Sequence, residues 1–480
     1  MDKQEKRIII LVAVSFFVFF LIYLPHYVNP YPMHVDEWHH IDQALKFRNG
    51  DYYLGSSSFE LGFHVFLSCI SFFANLILNY KFLPAIWGTL SALILFFITY
   101  KKTKSFRTGI FAMIFFASIK SNVNLLGLWF FTPLTFAIPF IFLFVYFYTE
   151  GVQKQNKKLI LISLGIVLFL IPTHSISFLF ALPFLITYTL VHYKYLLKEY
   201  KFFLIFLIIP IVGIFFYSML FNIPFQESFL TLIKDLQFKH GWGIYEFKNS
   251  PLEIYSIAGY ILAMVSFLVL LKPKNMKKSL PYVLWPLFLI VQIAIFRITD
   301  ISYLSPYQRN VYYLAISLPF LSAIGLQYTI IKLQKITNDK KLKQVIAIGV
   351  IMIIFAFTFC SFIDIPRNVK LYKPVNEADY FAIKNLSELP RSKILAPSFV
   401  SVAIYPITQK HDIVAGIFQN SNFKKESRAF FKTTNCTKKQ ETIDKHNVNY
   451  IIYGKPINCS YELIYNETHD KSTNYIYKTS

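Results

Sequence analysis

The sequence predicts an α-helical polytopic membrane protein with about 11 transmembrane helices and a small C-terminal α/β extracytoplasmic domain. Hydrophobic residues make up 55% of the 480 residues, and long apolar runs recur from residue 8 to residue 363. From residue 364 onward the chain is polar and mixes helical and strand patterns. We therefore expect a transmembrane domain at 1–363, with a large first outer loop at 25–82, and an extracytoplasmic α/β domain at 364–480.

The positive charge follows the pattern of membrane loops rather than that of a nucleic-acid-binding patch. The net charge is +22, and the Lys and Arg residues are concentrated in the N-terminus and in every second short loop between apolar runs. Cytoplasmic loops carry such an excess, so we expect the N-terminus in the cytoplasm and the C-terminal domain outside it. Nucleic acid is not an expected partner, and no glycine-rich phosphate loop indicates a nucleotide-driven pump.

The apolar runs set the expected crossings of the cell membrane. The first run lacks a small-residue cleavage site, so it is interpreted as a retained anchor rather than a signal peptide. The segment 61–79 is expected to lie in the interface or to re-enter, because a crossing there would invert every later basic loop. Pro172 is expected near the tip of a tight hairpin. The expected spans are 8–24, 83–100, 108–121, 133–149, 159–171, 176–191, 202–220, 254–271, 280–296, 309–331 and 344–363.

Titratable residues are crowded immediately after the first apolar run, in the segment 34–42 (HVDEWHHID). Such groups are rare next to a bilayer without a chemical role, so this segment is the first candidate for a reaction site. Asp36 is the expected general base, and Glu37 is a weaker catalytic candidate because adjacent helical side chains point in different directions. The alternative for Asp36 is a helix cap.

Four histidine and carboxylate side chains of the same segment are also compatible with a divalent metal site: His34, Asp36, His39 and His40. We favour a substrate-binding role for His39 and His40, which would position an acceptor or a phosphate.

The C-terminal segment contains recognisable elements of its own. An amphipathic helix is expected at Glu377–Leu386, and strands are expected at 393–396 and 448–453. Cys436 and Cys459 both lie in this polar segment. A disulfide between them is one of two open possibilities, since it requires an extracytoplasmic location.

The layout resembles the GT-C class of membrane glycosyltransferases, which includes protein O-mannosyltransferases, aminoarabinose transferases and oligosaccharyltransferase catalytic subunits. The acidic pair Asp36-Glu37 soon after the first helix matches the hallmark of that class. The run 307–326 (YQRNVYYLAISLPFLSAIGL) looks like its late helix, and 377–416 followed by 447–453 looks like its outer domain. Metal-using members place acids in the second outer loop, but 120–129 (KSNVNLLGLW) has none, so a metal cofactor is possible but not favoured.

The resemblance implies an enzyme that transfers a sugar from a polyprenyl- or dolichyl-phosphate donor to a glycan, lipid or protein acceptor. It implies that Arg309 contacts the donor phosphate, and the alternative is an interfacial arginine that snorkels. Arg297 is the second phosphate candidate. His174, Lys120 and His240 are further substrate-binding candidates, for which an outer-rim position facing lipid headgroups is an equal interpretation. The loop 221–253 is a candidate lid, and a plain interfacial helix is the alternative of equal weight.

Two functions of other classes compete with the transferase. One is a lipid or glycan transporter, which typically shows inverted repeats and charges near the midplane of the membrane. The other is a non-catalytic scaffold that keeps the fold without the activity. The clustering of acids in one outer loop favours the transferase. Neither the sugar, the acceptor nor the oligomeric state follows from the sequence.

Overall fold

The computed structural model describes residues 2–52, 60–121, 126–201, 251–271, 276–359, 373–417, 421–469 and 471–479, with individual positions between 204 and 239. The chain divides into two compact units. The first unit contains Met1–Ile22, Pro84–Trp129 and Pro133–Asp364, and the second contains Tyr23–Leu83, Phe130–Thr132 and Ile365–Ser480. The second unit thus combines the expected first outer loop with the C-terminal segment, which the sequence-based division assigns to separate domains.

Most of the residues that the structure describes are in helices. In chain order they are α1 (Lys3–Tyr23), α2 (Val35–Asn49), α3 (Leu61–Phe73), α4 (Leu76–Asn79), α5 (Leu83–Thr103), α6 (Phe106–Ala117), α7 (Pro133–Lys154), α8 (Lys157–Val191), α9 (Tyr193–Lys198), α10 (Ile257–Leu270), α11 (Met276–Thr299), α12 (Tyr307–Leu333), α13 (Lys340–Phe359), α14 (Glu377–Leu386), α15 (Ile404–Thr408), α16 (Ser421–Lys432) and α17 (Cys436–His446).

Ten of the eleven expected spans coincide with described helices, and the span expected at 202–220 lies largely outside the described residues. Seven described helical stretches are long and apolar enough to cross a membrane: Lys3–His26, Leu76–Thr103, Pro133–Lys154, Lys157–Ser177, Tyr282–Thr299, Tyr307–Ile336 and Lys340–Phe359. Three apolar helices, α3, α6 and α10, are shorter. The helical membrane fold is confirmed, and the number of crossings stays a prediction.

The hairpin expected around Pro172 is confirmed within α8. His174 has non-helical backbone angles (φ −164°, ψ 84°), so α8 consists of two helices joined at this residue. Both of its ends contact the last turns of α7. Ile160 packs against Gly151, and the Tyr188 hydroxyl donates to the Thr149 carbonyl over 3.5 Å. A straight helix of this length would hold its ends roughly 50 Å apart, so the chain reverses at His174.

The segment 61–79 forms two helices instead of one. α3 ends at Phe73, where Ala74 adopts an extended conformation, and the short α4 follows after an Asn75 cap. A helix of 13 residues is about 20 Å long, which is less than the thickness of a hydrocarbon core of about 30 Å. α3 is therefore too short to cross alone, in line with the expected interfacial or re-entrant position.

Ion pairs join several of the basic loops at one end of the first unit. Glu150 on α7 binds Lys102 on α5, and it binds Lys154 over 2.6 Å. Lys157 at the start of α8 pairs with Glu199 over 2.7 Å. These loops belong to the group that the charge distribution places in the cytoplasm. Their convergence agrees with the expected alternation of loops.

Helices α10 and α12 of the first unit approach each other closely at a glycine. A Cβ atom on Gly325 would lie 1.9 Å from the carbonyl oxygen of Leu262, so only glycine allows this approach. One turn away, the Ser322 hydroxyl donates to the Gly259 carbonyl over 2.8 Å, and the Tyr255 hydroxyl donates to Ser322 over 2.9 Å. Together these contacts hold α12, the helix that begins just before Arg309, in place.

A small mixed sheet forms the centre of the C-terminal segment. Strands β3 (Lys393–Leu395), β4 (Asp412–Ile413), β5 (Tyr450–Tyr453), β6 (Glu462–His469) and β7 (Ser472–Lys478) lie in the order β4-β3-β5-β7-β6. In the described part of the first unit, β1 (Gln237–Lys239) pairs antiparallel with β2 (Ile301–Tyr303), which is distant in the chain. β3 is parallel to β4 and β5, whereas β7 is antiparallel to its neighbours. The expected α/β domain, its helix at Glu377–Leu386 and both expected strands are confirmed.

Candidate functional site

The acidic segment of the second unit is organised by the start of α2. His34 is the N-cap, and its Nδ1 accepts a hydrogen bond from the backbone N–H of Asp36 over 3.1 Å. In return the Glu37 carboxylate accepts from the backbone N–H of His34 over 3.1 Å, which completes a capping box. The helix ends at Gly50, whose φ of +79° favours glycine. The alternative role of Asp36 as the helix cap is therefore wrong, because His34 and Glu37 perform it.

Asp36 lies in the first turn of α2, where the helix dipole favours negative charge. Its side chain is 32% exposed, and one carboxylate oxygen lies 3.6 Å from Nδ1 of His34. The carboxylate is thus placed by the helix start while keeping access to its surroundings. This combination suits a group that accepts a proton from a bound molecule.

Glu37 has a different environment from its neighbour. Its side chain is fully buried and accepts hydrogen bonds from three backbone N–H groups, those of Met33 (2.8 Å), His34 and Phe131 (2.9 Å). Burial raises the pKa of Glu37 to about 8, although the three N–H donors act in the opposite direction. Glu37 therefore positions the residue before α2 and the segment around Phe131, and no surface remains for contact with a substrate.

The two adjacent histidines of α2 face different neighbours. His39 lines a polar cavity of about 270 Å³ within the second unit, together with Asp42 and Lys46 of α2 and Tyr405 and His411 of the C-terminal segment. Asp42 and Lys46 form an ion pair over 2.8 Å. Burial lowers the pKa of His39 and raises that of Asp42. The cavity has charges of both signs and approaches the size of a site for a small molecule.

His40 points instead towards α3. Its Nδ1 lies 3.1 Å from Nε2 of His64 and 3.7 Å from a carboxylate oxygen of Glu60. Among the described residues, this trio is the group of metal-type side chains that converges, whereas the set His34, Asp36, His39 and His40 is not assembled. The sequence analysis did not identify His64 as a candidate, because it lies in an apolar run. The available signal was the spacing of four residues between Glu60 and His64, which places both side chains on one face of a helix.

In the first unit the two candidate arginines flank one short connection. Arg297 lies in the last turn of α11, and its Nε donates to the Tyr307 hydroxyl over 2.9 Å at the first residue of α12. Its guanidinium also stacks on the Tyr307 ring, 5.2 Å from the ring centre. Arg309 is partly buried in the first turn of α12. Tyr307, which sequence reasoning missed, contacts Arg297 and lies two residues before Arg309.

His174 lies near Arg309 in this unit rather than at an outer rim. It is 5% exposed, and its Nδ1 lies 2.6 Å from the Ser177 hydroxyl, which lies 2.8 Å from the Tyr313 hydroxyl of α12. Tyr313 lies one turn after Arg309 on α12, so these contacts bring the hairpin tip close to that arginine. The headgroup-facing interpretation of His174 is therefore wrong, because the hairpin tip is buried against α12.

The last two candidates receive less support. Lys120 follows α6, and its backbone N–H donates to the Ile254 carbonyl over 2.9 Å. His240 lies outside the described residues, as does most of the candidate lid. The strand just before His240, β1, pairs antiparallel with β2, which belongs to the connection between Arg297 and Arg309. The described part of the loop therefore adjoins the arginine pair.

Comparisons with known proteins show similarity at the level of structure. No protein-family model and no curated protein matches this chain. ArnT from Cupriavidus metallidurans in the apo state superposes with a TM-score of 0.60 at 11% identity, covering 99% of this chain and 98% of that chain. ArnT bound to undecaprenyl phosphate gives the same TM-score and identity, with 98% and 97% covered.

An archaeal protein has an equally similar structure. The oligosaccharyltransferase AglB from Archaeoglobus fulgidus, in complex with an inhibitory peptide and a dolichol-phosphate, superposes with a TM-score of 0.60 at 12% identity. The match covers 94% of this chain and 69% of that chain.

Proposed function

We propose that this chain, which has the fold of the GT-C membrane glycosyltransferases, transfers a sugar from a polyprenyl-phosphate-linked donor to an extracytoplasmic acceptor. The observation that carries the proposal is the agreement in fold with ArnT along almost the entire length of both chains. The acidic turn of α2, Arg297 at the end of α11 and Arg309 at the start of α12 supply the charges that such a transfer requires.

The donor class is supported by the neighbours and by the chain's own apolar helices. One neighbour is bound to undecaprenyl phosphate and another to a dolichol-phosphate. Both molecules have a long apolar tail and one phosphate group. A multi-pass membrane protein offers lipid-accessible helices for the tail and arginines near helix ends for the phosphate.

We assign the role of general base to Asp36. Its partly exposed carboxylate would accept the proton of the acceptor's hydroxyl or amide group as the acceptor oxygen or nitrogen attacks the anomeric carbon. The new glycosidic bond forms while the bond from that carbon to the phosphate oxygen breaks. The polyprenyl phosphate leaves with the bonding electrons. Glu37, the other carboxylate considered catalytic, acts as a positioning residue because its three hydrogen bonds shape the turn that presents Asp36.

We assign the departing phosphate to Arg309, with Arg297 as its second contact. A guanidinium donates two parallel hydrogen bonds to a phosphate and neutralises the charge that develops as the carrier leaves. Tyr307 holds Arg297 by a hydrogen bond and a ring contact, so this arginine has a defined orientation before the donor binds. His174 supports the start of α12 through Ser177 and Tyr313.

The acceptor is the less defined partner. The polar cavity beside His39 offers a carboxylate, an ammonium and a phenol to the hydroxyl groups of a sugar, so we place a substrate-binding role there. Lys120 and His240 stay candidates without a described contact that supports them. Glycan, lipid and protein acceptors are all compatible with this arrangement.

The reaction is proposed to take place outside the cytoplasm of a cell-membrane protein whose N-terminus is cytoplasmic. Cys436 and Cys459 form a disulfide, which confirms their pairing and supports an oxidising location for the C-terminal segment. The distribution of Lys and Arg supports the same orientation.

The transferase is tested by mass spectrometry of surface glycans from cells with and without the gene, complemented by the wild type or by Asp36→Asn. Removing a general base slows transfer by about 10²- to 10⁴-fold, so D36N is expected not to restore the glycan. Asp444→Asn, which changes an exposed acid of the C-terminal segment, is the matched control and should restore it.

Two results would contradict the proposal. An unchanged glycan profile without the gene would count against any transferase. Full restoration by D36N in a folded, membrane-inserted protein would remove the assigned base. A transporter or a scaffold would show this second result, because neither needs a proton acceptor at residue 36.

A further inference from the structure

Three side chains of the second unit converge outside the assigned catalytic residues. Nδ1 of His40, Nε2 of His64 and a carboxylate oxygen of Glu60 all lie within 4.8 Å of one another. The nitrogen–nitrogen distance is 3.1 Å, and the distance from Nδ1 of His40 to the oxygen is 3.7 Å. His64 is completely buried, His40 is 4% exposed, and the Glu60 side chain is 31% exposed.

These distances are those of ligands around one metal ion. Zinc binds histidine nitrogen at about 2.0–2.1 Å and carboxylate oxygen at about 2.0–2.2 Å, usually in a tetrahedral arrangement. Two tetrahedral ligands at such bond lengths are about 3.4 Å apart. The two observed separations lie on either side of this value, so an ion fits between the three atoms with small side-chain movements.

The local sequence explains why the three ligands meet. Glu60 is the residue preceding α3 and His64 lies in its first turn, so the spacing of four places both on one face of the helix. His40 lies on α2 and reaches across to that face. Phe63 closes one side, with its ring 5.2 Å from that of His40.

A second layer of contacts sets the orientation of His64. The Tyr52 hydroxyl lies 3.0 Å from Nδ1 of His64, on the side of the ring away from His40. A hydrogen bond from Nδ1–H to this oxygen leaves the lone pair on Nε2, which is the nitrogen that faces the other two ligands.

We propose that His40, Glu60 and His64 bind a divalent transition-metal ion of the zinc class. Two imidazoles and one carboxylate form a ligand set that zinc uses with a fourth position for water or another ligand. The ion would link α2 to α3 and fix the helix that carries Asp36 one turn before His40. The proposal concerns metal binding alone and does not depend on the transferase function.

The test uses the full chain in detergent after treatment with a chelator. Cobalt(II) is the probe, because its visible absorption reports tetrahedral coordination, and zinc(II) is the competitor. One cobalt ion per chain is expected to bind with such a spectrum and to be displaced by zinc. Tyr52→Phe should weaken binding by about 10- to 100-fold through the loss of the second-layer contact. His64→Ala should weaken binding more than that.

Two further variants keep the experiment decisive. His64→Cys retains a metal ligand and should add a thiolate-to-cobalt charge-transfer band, which separates loss of a ligand from loss of the fold. His469→Asn changes a histidine of β6 outside the trio and should bind cobalt like the wild type. Absence of tetrahedral cobalt in the folded wild type would overturn the proposal, as would unaltered binding by His64→Ala or a missing charge-transfer band in His64→Cys.

Discussion

At the scale of single residues, adjacent carboxylates of the same helix turn have separate tasks. Glu37 is fully buried and holds three backbone N–H groups, whereas Asp36 is one-third exposed beside His34. The difference follows from helix geometry, because neighbouring side chains are rotated by about 100° around the axis. Glu37 therefore stabilises the turn, while Asp36 stays partly exposed.

The first residue-scale prediction concerns the pH dependence of stability. The raised pKa of Glu37, about 8 against an ordinary value of 4.5, means that the folded chain keeps a proton that the unfolded chain releases. This contribution to stability is complete below about pH 4.5 and is lost as the pH rises to about 8, by at most about 1.4 kcal/mol per pH unit. Glu37→Gln should flatten this slope in thermal unfolding followed by tryptophan fluorescence.

Asp444→Asn is the control for the pH experiment, since it alters an exposed acid. Its unfolding midpoint should vary with pH as that of the wild type does. A slope that is equally steep in Glu37→Gln would mean that other groups cause it.

The second residue-scale prediction concerns donor binding. Arg309→Gln should weaken the binding of undecaprenyl phosphate by roughly 10- to 100-fold, because a hydrogen bond between charged groups is lost. Native mass spectrometry of the detergent-solubilised protein measures the bound fraction. Arg428→Gln, an exposed arginine of α16, should bind like the wild type. Equal binding by both variants would exclude Arg309 as a phosphate contact.

At the scale of elements, α12 is a helix on which several contacts of the first unit meet. It begins beside both arginines, receives the tip of α8 through Tyr313, and packs closely against α10 at Gly325. A shift of this helix would displace Arg309, the hairpin and the α10 contact together. Small residues on the buried face of α12 therefore affect the position of Arg309 without contacting it.

Gly325→Ala should destabilise the protein, because the added Cβ atom would overlap with the Leu262 carbonyl and force α10 and α12 apart. Overpacking of this kind costs about 1–3 kcal/mol, and it is measured as a lower thermal unfolding midpoint. Gly349→Ala on α13 is the matched control, since nothing lies within 4 Å of its added Cβ atom. It should leave the midpoint unchanged or raise it, as alanine favours helices. Equal midpoints for the two variants would show that the contact at Gly325 is not restrictive.

At the scale of the whole molecule, the fold is that of a GT-C protein, and each of the two units carries part of the candidate residues. The second unit carries the acidic turn and the polar cavity, and the first carries the arginines. The charged loops that meet at one end of the first unit are those expected in the cytoplasm.

This orientation predicts the labelling of single cysteines by a membrane-impermeant maleimide on intact cells. In a background with Cys69 and Cys360 replaced by alanine, Asp444→Cys should react, whereas Ser105→Cys between α5 and α6 should react only after permeabilisation. The Cys436–Cys459 disulfide does not react with maleimide and can stay in place. Labelling of residue 105 in sealed cells would reverse the assigned orientation.

The linear order of residues by itself determined the helical membrane fold, the approximate places of the described apolar helices and the existence of an α/β C-terminal domain. Apolar runs of membrane length and alternating basic loops are local patterns, so they can be recognised in the sequence without knowledge of tertiary contacts. The pairing of Cys436 with Cys459 was also within reach, as both lie in one polar segment. The acidic segment after α1 stays the predicted place of reaction.

Only the tertiary structure decided which of these side chains share a neighbourhood. It separated His39 from His40, made Glu37 a buried support, brought His174 to α12 and gathered His40 with Glu60 and His64. Partners such as His64 and Tyr313 lie within apolar runs, where sequence patterns indicate only packing. Contacts between residues distant in the chain depend on how helices turn and cross, and that information is absent from local periodicity.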